Sequence, residues 1–141
     1  MARSFVRPVA LSTALLAVLV SVPITAEAAT VKKFCSVDGC GNGTVNWKSR
    51  DGIKYPVTIK MTSDPKEGHG QTGVQYNITR DNSPDVGWSF FVGPSYLKVS
   101  RGPTTITITS LIPVSGVKFR VCRKTTNGKL TCGSETKEYR R

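Results

Sequence analysis

The sequence predicts an all-β protein: one sandwich of seven to eight antiparallel strands, carrying two disulfides and preceded by a cleaved signal peptide. Three observations predict it. Apolar residues alternate with polar ones in short segments, turn formers separate those segments, and four cysteines stand in the part of the chain that follows the signal. No stretch of residues 29–141 repeats apolar side chains at helical spacing.

Val45 and Trp47 alternate with Thr44, Asn46 and Lys48. Tyr55, Val57, Ile59 and Met61 follow, then Val74, Tyr76 and Ile78. Val86, Trp88 and Phe90 read as a fourth inward-facing set, and Leu97 with Val99 as a fifth. Phe91 and Tyr96 fall out of phase with those sets, which places one or both at the surface. Ile106 and Ile108 lie among Thr105, Thr107 and Thr109, and Val117, Phe119 and Val121 alternate with Lys118, Arg120 and Cys122. A period of two means that each strand presents one apolar face. Turn formers punctuate the runs at Asp51-Gly52, Asp64-Pro65, Asn82-Ser83-Pro84, Gly93-Pro94, Gly102-Pro103 and Asn127-Gly128. Such strands bury their apolar faces against a second sheet, or in a closed barrel as the alternative.

Cys35, Cys40, Cys122 and Cys132 allow three pairings. If Thr126, Asn127 and Gly128 form a three-residue hairpin loop, Gly128 takes the left-handed position and Thr125 faces Lys129. Continuing that register sets Cys122 opposite Cys132, and Cys35–Cys40 follows by elimination. Zinc is the poorer reading, since no CxxC spacing occurs and the only histidine, His69, stands between two glycines.

The segment Ile106-Thr107-Ile108-Thr109-Ser110-Leu111-Ile112-Pro113, followed by Gly116-Val117-Lys118-Phe119-Arg120-Val121, resembles the end of a fibronectin type III domain. There a threonine-rich strand leads to a Leu-x-Pro corner and then to a strand of alternating apolar and basic residues. The resemblance implies an immunoglobulin-like sandwich, with Trp47 as a candidate core tryptophan. It departs at Val117, near where the family carries a tyrosine, and it implies no function, because such folds host many roles. A second similarity, to the secreted apoproteins of enediyne antibiotics, is set aside: the two disulfide loops come in the opposite order here, and those proteins are typically acidic.

Residues 1–28 read as the signal peptide and residues 29–141 as the β-sandwich domain. Arg3 and Arg7 precede an apolar core from Val9 to Val20, Pro23 breaks it, and Ala26-Glu27-Ala28 supplies the cleavage site. That core is shorter than the ~20 residues of a membrane span. A secreted, monomeric, extracellular product of bacterial type without a transmembrane anchor is therefore expected, with its disulfides formed by oxidation outside the cytoplasm. The acceptor-like Asn42-Gly43-Thr44 and Asn77-Ile78-Thr79 are expected to stay unmodified.

The chain carries a net charge of +11. Such a balance draws polyanions and favours solubility. Catalysis is not expected. His69 has no partner suited to activating a nucleophile, no Gly-x-Ser-x-Gly elbow occurs, and the acidic residues sit mostly beside Gly, Pro or Asn in turns. No cofactor or metal is implied; Asp81 and Asp85 are too few for a calcium loop. The basic residues concentrate instead. Residues 117–141 hold Lys118, Arg120, Arg123, Lys124, Lys129, Lys137, Arg140 and Arg141 against only Glu135 and Glu138.

The expected function is a non-catalytic binding protein. It would engage an anionic cell-envelope polymer or an extracellular protein surface through a basic C-terminal hairpin (Lys118, Arg120, Arg123, Lys124, Lys129, Arg140, Arg141). Specific nucleic-acid binding is not expected of an exported chain without a recognition helix. The alternative is an inhibitor of a protease or other extracellular enzyme that presents the loop from Thr62 to Thr72. Mass spectrometry of the exported protein is expected to find an N-terminus at Ala29 and no thiol that reacts with iodoacetamide before reduction.

Overall fold

The computed structural model describes residues 27–66, 71–91 and 101–141. Among them are nine strands and no helix: β1 (Glu27–Ser36), β2 (Gly39–Trp47), β3 (Tyr55–Pro65), β4 (Gln71–Arg80), β5 (Ser89–Phe90), β6 (Arg101–Ser110), β7 (Val114–Lys124), β8 (Leu130–Cys132) and β9 (Tyr139–Arg140). One sheet runs β1-β2-β3-β6; the other runs β5-β4-β7-β8, with β9 also paired to β7. All pairings are antiparallel.

The alternation read from the sequence sorts side chains as expected. Val45, Trp47, Val57, Ile59 and Met61 of the first sheet are buried, and so are Val74, Ile78, Val117, Phe119 and Val121 of the second. Most of these side chains belong to one core between the two sheets, with Ile106 and Ile108 packed against its margin. The aromatic rings tie the layers together: Phe34 of β1 stacks on Phe119 of β7 at 6.0 Å between centroids, and Tyr139 of β9 meets the same ring at 6.0 Å. Burial of each large apolar side chain stabilises the fold by about 1.5–3 kcal/mol.

Strand β1 escapes the period-two reading because it is bulged. Its pairing with β2 shifts between Val31 and Phe34, so these two residues, three apart, both turn toward the core. A bulge inserts an extra residue and bends the strand, which erases the simple alternation. Here it leaves Lys32 and Lys33 both exposed. The signal-cleavage position expected after Ala28 lies within β1, where Glu27 opposes Trp47 and Ala28 opposes Asn46. The remainder of the expected signal segment, residues 1–26, lies outside the described residues, as do Tyr96, Leu97 and Val99.

Both disulfides join cysteines that face each other across adjacent strands, Cys35–Cys40 between β1 and β2 and Cys122–Cys132 between β7 and β8. The second hairpin has the expected turn. Thr125 N–H donates to the Lys129 carbonyl at 2.9 Å, and Gly128 adopts φ +83°. Beyond β8 the chain stays beside β7: Thr136 N–H donates to the Phe119 carbonyl at 2.8 Å, and β9 then pairs Tyr139 with Val117.

Two local expectations change. In the run from Val86 to Phe91 the phase slips by one residue: Val86 is 54% exposed and Trp88 half-buried, whereas Phe91 is only 6% exposed. Strand β5 is just two residues long, so no extended ladder enforces alternation there. Phe91 reaches the core instead and packs edge-on against Tyr76 at 6.3 Å. Gly102-Pro103, read as a turn, lies in β6, beside a shift in the β3–β6 pairing between Met61 and Ser63. Proline is tolerated where ladder bonds are already interrupted. The turn from β6 to β7 through Leu111-Ile112-Pro113 leaves Leu111 exposed and is held by Ser110, whose Oγ accepts from Ile112 N–H at 3.1 Å, and by Asp81 N–H donating to the Pro113 carbonyl at 3.0 Å.

Phe119→Ala is expected to destabilise by about 3–5 kcal/mol. Loss of Cys122–Cys132 in a Cys122→Ser, Cys132→Ser variant is expected to cost about 2–4 kcal/mol. Urea denaturation monitored by tryptophan fluorescence measures both.

Candidate anion-binding surfaces

The expected basic residues fall at three places along β7 and its neighbours. Lys118 and Arg120 lie on the outer face of the second sheet, opposite in phase to Phe119 and Val121. Lys124 ends β7 and Lys129 closes the hairpin loop. Arg140, in β9, opposes Gly116 near the other end of β7, and Arg141 follows it. Gly116 and Lys124 are eight residues apart in an extended strand, which is about 27 Å. The seven cations therefore span the sheet, and no single patch gathers them.

At least five of the seven, Lys124 among them, have partners within the chain. Arg120 lies over Trp88, with its guanidinium carbon 4.1 Å from the ring centroid, and its Nε donates to Gln75 Oε1 at 2.9 Å. Gln75 is 3% exposed, and the disulfide sulfur of Cys122 touches the same oxygen at 3.2 Å. That sulfur has no proton, so Arg120 is the donor that satisfies the buried amide oxygen. Burial pulls the Arg120 pKa below its ordinary value, opposed by the charge of Glu135. Arg123 points the other way from Arg120 and meets Asp38, a carboxylate buried in the β1–β2 turn, at 3.2 Å. This pair ties the first sheet's hairpin to the second sheet. Lys118 lies 3.8 Å from Glu135, and Arg140 lies 2.6 Å from Glu138.

Glu138 shows what those cations do at the far end of β7. The Thr79 hydroxyl is the largest influence holding its carboxyl below the usual glutamate range; burial opposes this, and Arg140 and Lys118 add to the lowering. Asn77, the partner of Lys118 across β4 and β7, is also buried on this face. Its side-chain oxygen accepts from Gly87 N–H at 3.2 Å, and its amide donates to Asp85 at 3.3 Å. The outer face of the second sheet is therefore a covered polar layer around β4, with cations at its margins. Gln75 and Asn77 occupy polar positions of an alternating strand, so nothing in their spacing marks them as buried.

A second basic surface lies on the outer face of the first sheet. Lys32 and Lys33 from the β1 bulge and Lys60 from β3 line one open cleft of ≈440 Å³, together with Thr30, Thr44 and Asn42. A contiguous hollow of ≈290 Å³ shares Lys33, Asn42 and Thr62 and is bordered by Asp64. Glycine at position 43 lets β2 approach β3 beneath this cleft; a Cβ there would lie 2.0 Å from the Lys60 carbonyl oxygen. The adjacent Lys32-Lys33 pair was visible in the sequence, but alternation sends neighbouring side chains to opposite faces. Only the bulge puts both beside Lys60.

Residues 67–70, which include His69, lie outside the described residues, as does that part of the loop from Thr62 to Thr72. Among the described residues no three His, Cys, Asp or Glu side chains gather to hold a metal ion, and no helix is long and apolar enough to cross a membrane. No protein-family model, curated protein or solved structure matches the chain.

Two outcomes follow from this geometry. Arg120→Ala leaves the Gln75 oxygen buried without its donor and is expected to cost about 1–3 kcal/mol in a urea titration. Glu138 has a folded pKa below its unfolded one, so its stabilisation is present at neutral pH and is withdrawn as pH falls from about 4.3 through the lower folded value. Glu138→Gln is accordingly expected to be less stable than the parent at pH 7 and to converge with it near pH 2, measured by thermal melts across that range.

Proposed function

We propose that this is a secreted, non-catalytic binding protein with an immunoglobulin-like sandwich, which engages an anionic envelope polymer or protein surface through its basic C-terminal hairpin. The observation that carries the reading is the β7–β8 hairpin. Lys124 and Lys129 flank a turn closed by the Thr125–Lys129 hydrogen bond, two residues from the Cys122–Cys132 staple. Cations held on a preformed support lose less conformational freedom on binding than cations on a mobile tail. Oxidised cysteine pairs suit an extracellular setting, and the +11 charge favours an anionic partner.

Strand order supports the immunoglobulin-like reading. Taking β2, β3 and β6 as strands A, B and E, and β5, β4, β7 and β8 as C′, C, F and G, gives an order compatible with that scheme, with β1 as an additional edge strand and no strand D among the described residues. Two further departures accompany it. Each disulfide stays within its own sheet, where antibody domains bridge their sheets, and Trp47 lies on the strand taken as A, not C.

Co-sedimentation with isolated bacterial cell wall tests the function. Retention is expected in dilute buffer and release at 1 M salt, where the screening length falls to about 3 Å. Lys124→Gln with Lys129→Gln is expected to reduce retention several-fold. Absence of retention in dilute buffer would overturn the proposal.

A further inference from the structure

We infer that the cleft lined by Lys32, Lys33 and Lys60 is a separate binding site for a linear, hydroxyl-bearing polyanion, on the face of the sandwich opposite Arg120. This goes beyond the hairpin reading and does not rest on it, since it uses a different sheet and different cations.

Three features of the cleft point to that ligand class. First, its cations are concentrated and uncompensated: none of the three lysines forms an ion pair among the described residues, and Asp64, in the neighbouring hollow, is the one acidic residue lining either recess. On the opposite face, Lys118 and Arg140 are matched by Glu135 and Glu138. Like charges brought together by a structural irregularity repel one another, and an anion laid between them removes that repulsion.

Second, the charges are laid out along a path. Lys60 stands on β3, and the bulge lysines stand on β1 with β2 between them, so two interstrand spacings, about 10 Å, separate the ends. A single small anion does not fill that distance, whereas a chain with regularly repeated charges does.

Third, the floor between the cations is built of hydrogen-bonding groups without an aromatic ring. Thr30 opposes Thr44, Thr44 opposes Lys60, and Asn42 opposes Thr62 across the three strands. The row continues to Thr105, paired with Lys60, and to Thr107, whose hydroxyl lies 3.2 Å from that of Thr58. Hydroxyl and amide groups give and accept hydrogen bonds with the hydroxyls of a carbohydrate or polyol, while the lysines meet its phosphate or carboxylate groups. The lack of an aromatic platform disfavours single-stranded nucleic acid, which is held by base stacking.

Two polymers share this chemistry, a polyol phosphate and a polyuronate, and both serve as probes. Binding of poly(glycerol phosphate) and of polygalacturonate is measured by titration calorimetry at low salt. The proteins compared are the parent, Lys32→Gln/Lys33→Gln/Lys60→Gln, and Lys124→Gln/Lys129→Gln. The cleft variant is expected to lose at least tenfold in affinity for one or both polymers while the hairpin variant retains binding at the cleft; preference for one polymer identifies the charged group. An amine-acylation footprint on the parent protein gives a readout independent of any variant's folding, with Lys32, Lys33 and Lys60 protected by polymer at least threefold. Parent-like affinity of a folded cleft variant, unchanged acylation of these lysines, or no binding of either polymer by the parent would each overturn the inference. Loss of binding in the hairpin variant alone, with acylation at the cleft unchanged, would overturn it while leaving the hairpin reading intact.

Discussion

Phe119 lies where the two sheets are pressed together, fully buried between Phe34 of the first sheet and Tyr139 of the last strand. The rest of the molecule depends on this face-to-face burial. Hydrophobic burial is non-directional, yet here it is delivered in strict alternation along β2, β3 and β7, and a slip of one residue would exchange core and surface along a whole strand. The register is therefore held wherever one face is committed to the core. It loosens where that commitment is weak, as in the short segment around Trp88 and Phe91.

Once the inner faces are committed, the outer faces become separate chemical surfaces. The outer side of the second sheet is covered: Gln75 and Asn77 are buried beneath Arg120, Trp88 and the segment that runs from Asp85 to Gly87. A buried polar group needs its partner, so the arginine there is bound to a structural task as well as to any external one. The outer side of the first sheet is open, and its polar residues face solvent in cross-strand rows. A single excess of positive charge thus takes two forms, a partnered layer on one side and, on the other, a cleft whose lysines form no ion pair among the described residues.

The disulfides act within this division. Each spans two neighbouring strands of one sheet, so neither holds the sheets together. That role falls to the core and, at one end of the sandwich, to the Arg123–Asp38 pair, which carries charge between the β1–β2 turn and β7. The staples instead stiffen two hairpins. Lys32 and Lys33 precede one of them, and Lys124 and Lys129 belong to the other, so the best-supported cationic segments stand close to covalent restraints.

The sequence by itself determined the elements whose signals are local. Alternation identified the inner faces of β2, β3, β4, β6 and β7, and turn chemistry around Asn127-Gly128 set the register that joins Cys122 to Cys132. Both are properties of neighbouring residues and need no knowledge of the rest of the chain. Tertiary structure alone decided what depends on residues distant in sequence: that Phe91 enters the core in place of Trp88, that Gln75 and Asn77 are buried, that Asp38 holds Arg123, and that Lys32, Lys33 and Lys60 line one cleft. A count of charges finds a basic hairpin, because its cations are close in the chain. It does not find the cleft, because a bulge and two strand pairings are needed to bring those lysines together.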